Sequence, residues 1–182
     1  MRKALLSFWP LEGGEQGFGN AALLDQPLTA FFASRQCPGS AIRAAMNWAI
    51  EQARGKHPVI GGFHSPLEQS VLEVMLTAGA PCVMVIARSL EQAQLPPSWL
   101  QAVQNGTVAV VSMENTTRRL TAELAAQRND WVAQRAAHIV VAHASMEGSL
   151  VRQAMQWEQE GRRVDYLSGK DPGRVVSRSQ QF

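Results

Sequence analysis

The feature that most restricts this chain is an alternation: short, mostly apolar runs rich in β-branched or aromatic residues are separated by longer segments of helical period. "LTAFFA" (28–33), "PVIGG" (58–62), "CVMVIA" (82–87), "VAVVS" (108–112), "HIVVAHA" (138–144) and "RVDYL" (163–167) read as strands. The first helical segment places Ile42, Met46, Ala49, Ile50 and Ala53 on one face and stops at Gly55. The second begins at Ser65, carries Leu67, Val71, Leu72, Val74, Met75 and Ala78, and stops at Gly79. "SWLQAVQNG" is a short helix closed by Gly106, a longer one from Thr117 to Ala136 presents Leu120, Leu124, Trp131 and Val132, and "GSLVRQAMQWEQEG" is the last. Strands that are apolar on both faces and linked through helices require a mostly parallel sheet covered on both sides. The expected fold is therefore α/β: a Rossmann-like, doubly wound sheet with helices on both faces.

This pattern occupies residues 28–167, preceded by a leader (1–27) with no element assigned and followed by a polar tail (168–182) expected to be loose. With 46% hydrophobic content, 182 residues supply one core of ordinary size. A net charge of +2 and a pI near 8.8 permit an anionic partner without requiring one. Cys37 and Cys82, the latter inside an apolar run, do not make a disulfide framework and fit a reducing compartment. Two basic residues open the chain before a short apolar run, but Pro10 and Glu12 interrupt it and no small-x-small cleavage site follows, so it is not read as a secretory signal. No run approaches membrane-spanning length. A cytoplasmic protein without membrane association is expected.

In doubly wound sheets, ligands sit beyond the carboxyl ends of the strands near a topological switch point, so the strand-to-helix loops carry the candidate site. In "GGFHSPLEQ", Ser65, Pro66 and Glu68 occupy the N-cap, first-turn and N3 positions of a capping box, which explains Ser65 and Glu68 without a ligand. Gly61 and Gly62 would let a backbone approach an anion ahead of the positive helix end, with His64 as a further donor or simply a solvated side chain. After the first strand, Ser34 offers a hydroxyl and Arg35 a bidentate guanidinium, although a solvated arginine fits the same position. Arg88 follows the third strand, and Gly148 and Ser149 open the last helix. Arg128 and Asn129 precede Trp131 in the long helix, where ordinary surface polarity also accounts for them. Trp48, Trp131 and Trp157 read as core residues. The four histidines lack zinc-ligand spacing with the cysteines, and no nucleophile-elbow sequence anchors a Ser/His/acid triad. No catalytic residue, metal or cofactor is assigned.

Taken in order, these loops resemble the DNA-processing protein A family, also called DprA or Smf. "GNAALLDQPLTAFFASRQC" is similar to the family stretch in which Gly-Asn and Leu-Leu precede a strand ending in Gly-Ser-Arg: Gly19, Asn20, Leu23, Leu24, Pro27, Ser34 and Arg35 match, and Ala33 replaces the glycine. "QRNDWVAQRAAHIVVAHASMEGSL" resembles the Arg-Asn-Arg helix, the valine-rich strand and the Ser-Gly-Ser-Leu helix start, with Asp130 in place of the second arginine. "GGFHSPLEQ" stands where the family has Ser-Gly-x-x-x-Gly-Ile-Asp. The resemblance runs from about Gly19 to Leu167. It implies single-stranded DNA binding in a basic pocket lined by Ser34, Arg35, Arg128, Asn129, Gly148 and Ser149, with close backbone approach at Gly62. It also implies a homodimer and loading of the recombinase RecA in transformation or recombination.

The competing class is an enzyme or a nucleotide sensor. The lysine-decarboxylase-like phosphoribohydrolases, known as LOG proteins, share this superfamily and cleave nucleoside monophosphates using Pro-Gly-Gly-x-Gly-Thr-x-x-Glu. Here that place reads "HASMEGSLVRQ": Gly148 and Ser149 are kept, but Gln153 brings no carboxylate for acid/base work, leaving Glu68 and Glu147 as substitutes.

Overall fold

A computed structural model describes residues 7–90, 94–113 and 121–167. The elements are β1 (Phe8–Pro10), β2 (Gln16–Gly19), a 3₁₀ turn (Ala21–Asp25), β3 (Thr29–Ala33), α1 (Gly39–Gly55), β4 (Val59–Gly61), α2 (Pro66–Thr77) and β5 (Cys82–Ile86). There follow α3 (Pro97–Gln104), β6 (Val108–Ser112), α4 (Ala122–Arg135), β7 (His138–His143), α5 (Ser149–Gln159) and β8 (Val164–Tyr166). They form one sheet in the order β1-β2-β6-β5-β4-β3-β7-β8. Strands β3 to β8 run parallel, whereas β2 lies antiparallel to β6 and β1 antiparallel to β2. This is the expected Rossmann-like α/β sheet.

Alternation along the strands sorts the core into two layers. Phe31 and Ala33 join Val59, Cys82 and Met84 under α1, α2 and α3, while Ala30 and Phe32 join Ile60, Val83 and Val85 beneath α4 and α5. Phe31 stacks on Trp48 at 5.0 Å, and Phe32 meets Trp157 at 4.8 Å on the opposite face. From β3 the chain winds outward through β4, β5 and β6, then returns through α4 to β7 on the other side of β3. The switch point therefore lies between β3 and β7, and the loops after these two strands open into the same crevice.

The leader, to which the sequence assigned no element, contributes β1 and β2. Both are hard to recognise because one ends in proline and the other holds two glycines. Gly17 is needed where it stands, since a Cβ there would collide with the Trp9 ring, whose Nε1 donates to the Gly19 carbonyl at 3.1 Å. The long helix begins at Ala122, capped by the Thr121 hydroxyl, which accepts the Leu124 N–H at 3.1 Å. The stretch 117–120 expected to start it lies outside the described residues, as does the tail 168–182.

The face of α1 is a correction. Its buried stripe is Ala41, Ala45, Ala49 and Ala53, while Ile42 and Ile50 are exposed at 44% and 39%. The small side chains of this stripe let the helix come close to the sheet over β7, and that steric demand outranks the larger apolar area of the isoleucines. Accordingly, Ala49→Leu is expected to destabilise the fold by about 1–3 kcal/mol through overpacking. Ile42→Ala should cost no more than about 1 kcal/mol. Urea midpoints of the two variants would check the contrast.

Candidate functional site

At the mouth of the switch point, a cavity of about 510 Å³ is lined by residues from four segments: 33–36, 64–68, 122–129 and 145–150. Eight of the phosphate-binding candidates line it, Ser34, Arg35, His64, Ser65, Arg128, Asn129, Gly148 and Ser149, together with Glu68. Gly61, Gly62 and Arg88 do not. Three strand-to-helix turns and the first half of α4, all distant in sequence, are thus brought together at one end of the sheet.

The β4–α2 loop holds an anion of its own. Ser65 caps α2 and accepts the Glu68 N–H at 3.4 Å, completing a capping box. Glu68 is 7% exposed. Its Oε1 accepts the N–H groups of His64 at 3.1 Å and Ser65 at 3.4 Å, and its Oε2 accepts that of Ala33 at 3.0 Å. The carboxylate therefore sits where a phosphate cradled by this loop would sit. Burial pushes the Glu68 carboxyl above its ordinary range, opposed by the three N–H donors and the Arg128 charge.

The paired glycines serve protein packing. A Cβ on Gly61 would stand 3.3 Å from the Phe31 carbonyl oxygen and 3.4 Å from the Phe63 ring. Phe63, buried and with φ of 48°, turns the chain out of β4 in a conformation that bulky residues avoid, a strain of about 1–3 kcal/mol. A Cβ on Gly62 would stand 2.7 Å from Arg128 Cζ and closer still to Nε. The close approach expected at Gly62 is thus made by a guanidinium from α4, with the glycine behind the arginine.

Arg128 is itself buried, at 6% exposure, which corrects the surface reading of this position. Its Nη2 donates to Asn129 Oδ1 at 3.3 Å, while its buried Nε meets no acceptor among the described residues. Asn129 is in turn held by Gln153, whose Oε1 accepts its Nδ2 at 3.2 Å. Burial lowers the Arg128 pKa from its ordinary value and Glu68 opposes the shift; an arginine stays charged regardless. His64 is lowered as well, by partial burial and then by the charges of Arg128, Arg35 and Arg88. Arg88 therefore contributes field, with its backbone carbonyl accepting the Ser112 hydroxyl.

Two other side chains tie the rim together. The Ser34 hydroxyl accepts the Ser145 N–H at 2.8 Å, joining the loops after β3 and β7. Asp130 accepts from Gln153 Nε2 at 3.2 Å and from Trp157 Nε1 at 3.0 Å, so this carboxylate braces α4 against α5 and is not among the cavity's lining residues. The N-cap of α5, Gly148, supplies no side-chain acceptor, and the first turn of that helix carries no acidic residue. The sequence reading passed over the structural commitment of Ser145 and the burial of Arg128. A signal for Arg128 was present: it lies four residues from both Leu124 and Val132, on the apolar stripe.

These features define a class, a Rossmann-like α/β protein with a positively charged crevice at the switch point of its sheet. The chain belongs to the DNA recombination-mediator protein A family, whose model matches residues 17–180. Among solved structures it is similar to DNA processing protein A from Helicobacter pylori, studied for its single-stranded DNA binding mode (TM-score 0.73, 15% identity, 89% of this chain and 80% of that one). It is also similar to DprA from Streptococcus pneumoniae (TM-score 0.69, 19% identity, 90% of this chain), of which it spans 56%. The Moco carrier protein of Chlamydomonas reinhardtii is a more distant likeness (TM-score 0.53, 9% identity, 79% of this chain and 76% of that one). At such identities the likeness is one of fold. No curated protein matches the sequence.

The packing of Gly62 on Arg128 gives a direct test. Gly62→Ala should displace the guanidinium, destabilise the protein by about 1–3 kcal/mol, and reduce any thermal stabilisation by inorganic phosphate. Chemical denaturation and phosphate-dependent melting would measure both effects.

Proposed function

We propose that the switch-point crevice binds the phosphate backbone of single-stranded DNA and that the protein acts in DNA processing as a recombination mediator. The observation that carries this reading is Arg128: a buried cation held by Asn129 and lining a cavity that also receives Arg35 and the uncapped start of α5. A buried guanidinium is stable when an anion completes its hydrogen bonds, and a phosphate oxygen has the matching charge and geometry. Family membership supports the DNA role, as does the likeness to the Helicobacter pylori protein. In this proposal Arg35, exposed at the rim, neutralises a phosphate, while Ser149 and the first amides of α5 donate to its oxygens. His64 and Ser65 shape the wall, with Arg88 adding to the positive field. A homodimer and the loading of a RecA-type recombinase belong to the same proposal through the family.

The hydrolytic alternative fares worse because Glu68, its buried carboxylate, is committed to three backbone amides and has no free oxygen directed at a glycosidic carbon. A nucleotide sensor would use the same phosphate-binding groups and is separated from DNA binding by competition.

Arg35→Ala is expected to weaken binding of oligo-deoxythymidine and of mixed sequences to a similar extent. The slope of log affinity against log salt should become shallower by about 0.7, one single-strand phosphate contact. Fluorescence anisotropy across a salt series measures both, and unchanged affinity and slope would remove Arg35 from the site.

A further inference from the structure

Gln153 is a buried amide on α5, 8% exposed, and all of its printed contacts lie on α4. Its Nε2 donates to the Ala126 carbonyl at 2.9 Å and to Asp130 Oδ1 at 3.2 Å, while its Oε1 accepts Asn129 Nδ2 at 3.2 Å. Asn129 Oδ1 accepts in turn from Arg128 Nη2 at 3.3 Å. Four side chains therefore form an unbroken hydrogen-bonded line that begins at Asp130, outside the crevice, and ends on a guanidinium that lines it.

The ends of the line fix its direction. A carboxylate only accepts and a guanidinium only donates. With Asp130 at one end, Gln153 must present Nε2 to it, which leaves Oε1 for Asn129. Asn129 must then present Nδ2 to Gln153, which leaves Oδ1 for Arg128. The Ala126 carbonyl imposes the same choice on Gln153, and the Trp157 N–H, at 3.0 Å, holds the Asp130 oxygen in place. Turning either amide over would set donor against donor at one contact and acceptor against acceptor at another. The group that finally holds Arg128 is a neutral oxygen, and among the described residues Arg128 forms no salt bridge, so its charge is left for an anion. Resting on the phosphate-binding reading above, we infer that Gln153 is a positioning residue of the crevice: through Asn129 it fixes the Arg128 guanidinium for an anion, in an orientation set by Asp130. Positions 130 and 153 are coupled, because a carboxylate at 153 would meet Asp130 and the Ala126 carbonyl as acceptor against acceptor.

The first test uses the unaltered, unliganded protein. Side-chain NMR should show separate Arg128 Nη signals and Asn129 and Gln153 amide protons that exchange with water at least about tenfold more slowly than those of the exposed Gln101 and Asn105. Gln153→Met, which removes no charge, should merge the Nη signals and weaken oligo-deoxythymidine binding about tenfold, the size of one hydrogen bond to a charged group. The salt dependence of binding should stay the same. In an Arg128→Ala background, Gln153→Met should cause no further loss of affinity. Asp130→Asn, which keeps an acceptor oxygen for Gln153 and Trp157, should behave as the unaltered protein does. Fast exchange of both amides in the unaltered protein, or unmoved Nη signals and unchanged affinity in Gln153→Met, would overturn the inference. An equal loss of affinity with and without Arg128 would also overturn it, since Gln153 would then support the fold and not the guanidinium. If the unaltered protein binds no strand, the DNA reading falls and the Arg128 Nη signals in Gln153→Met alone decide the inference: merged signals uphold it and unmoved signals overturn it.

Discussion

Glu68 is the residue on which the geometry of the crevice depends. Its carboxylate gathers the amide of Ala33 at the end of β3 and those of His64 and Ser65 at the start of α2, so one buried side chain ties the end of β3 to the β4–α2 turn and the first turn of α2. Leaving three such donors unpaired in a buried place would cost several times about 1–3 kcal/mol, and a neutral side chain of similar shape could not accept all of them. The consequence reaches function: the β4–α2 loop, which in sequence looks most like a phosphate cradle, already contains its anion. In the proposed reading, a ligand uses the donors that remain, at the start of α5 and on the arginines of the crevice.

The crevice is therefore built from complementary pairs. Gly62 yields the volume that the Arg128 guanidinium occupies, Asn129 and Gln153 hold that guanidinium, and Ser34 binds the β7–α5 loop through Ser145. Asp130 illustrates how a charge can be misjudged from its place in a motif. Read as a negative charge replacing a phosphate-binding arginine, it proves to be an acceptor for Gln153 and Trp157 on the α5 side of α4. Replacing it by arginine would bring a cation up to two donors and loosen the packing of α4 on α5, without adding a ligand contact.

Much of this was legible in the sequence, for physical reasons that differ by element. The parallel strands declared themselves because burial on both faces demands unbroken apolar runs, and the capping box at Ser65 and Glu68 was visible because its spacing is local. The two N-terminal strands were not, because Pro10, Gly17 and Gly19 lower strand propensity and the pairing on β6 is a long-range contact. The face of α1 was misread because periodicity ranks side chains by hydrophobicity, whereas close helix-to-sheet packing selects the alanines by size. The motif alone marks Arg128 as a candidate for the site. Its burial, the fact that gives it chemical meaning, depends on Gly62 from another part of the chain.

The central claim is that the anion site lies between Arg128 and the start of α5, with the start of α2 closed by Glu68. Mapping NMR shifts during titration with oligo-deoxythymidine addresses it directly. The account predicts that the largest changes fall on the Arg128 Nε resonance and the amides of Ser149 and Leu150, while the amides of Ala33, His64 and Ser65, held by Glu68, move least. Largest changes at Ala33, His64 and Ser65, with Arg128 and α5 unmoved, would contradict it.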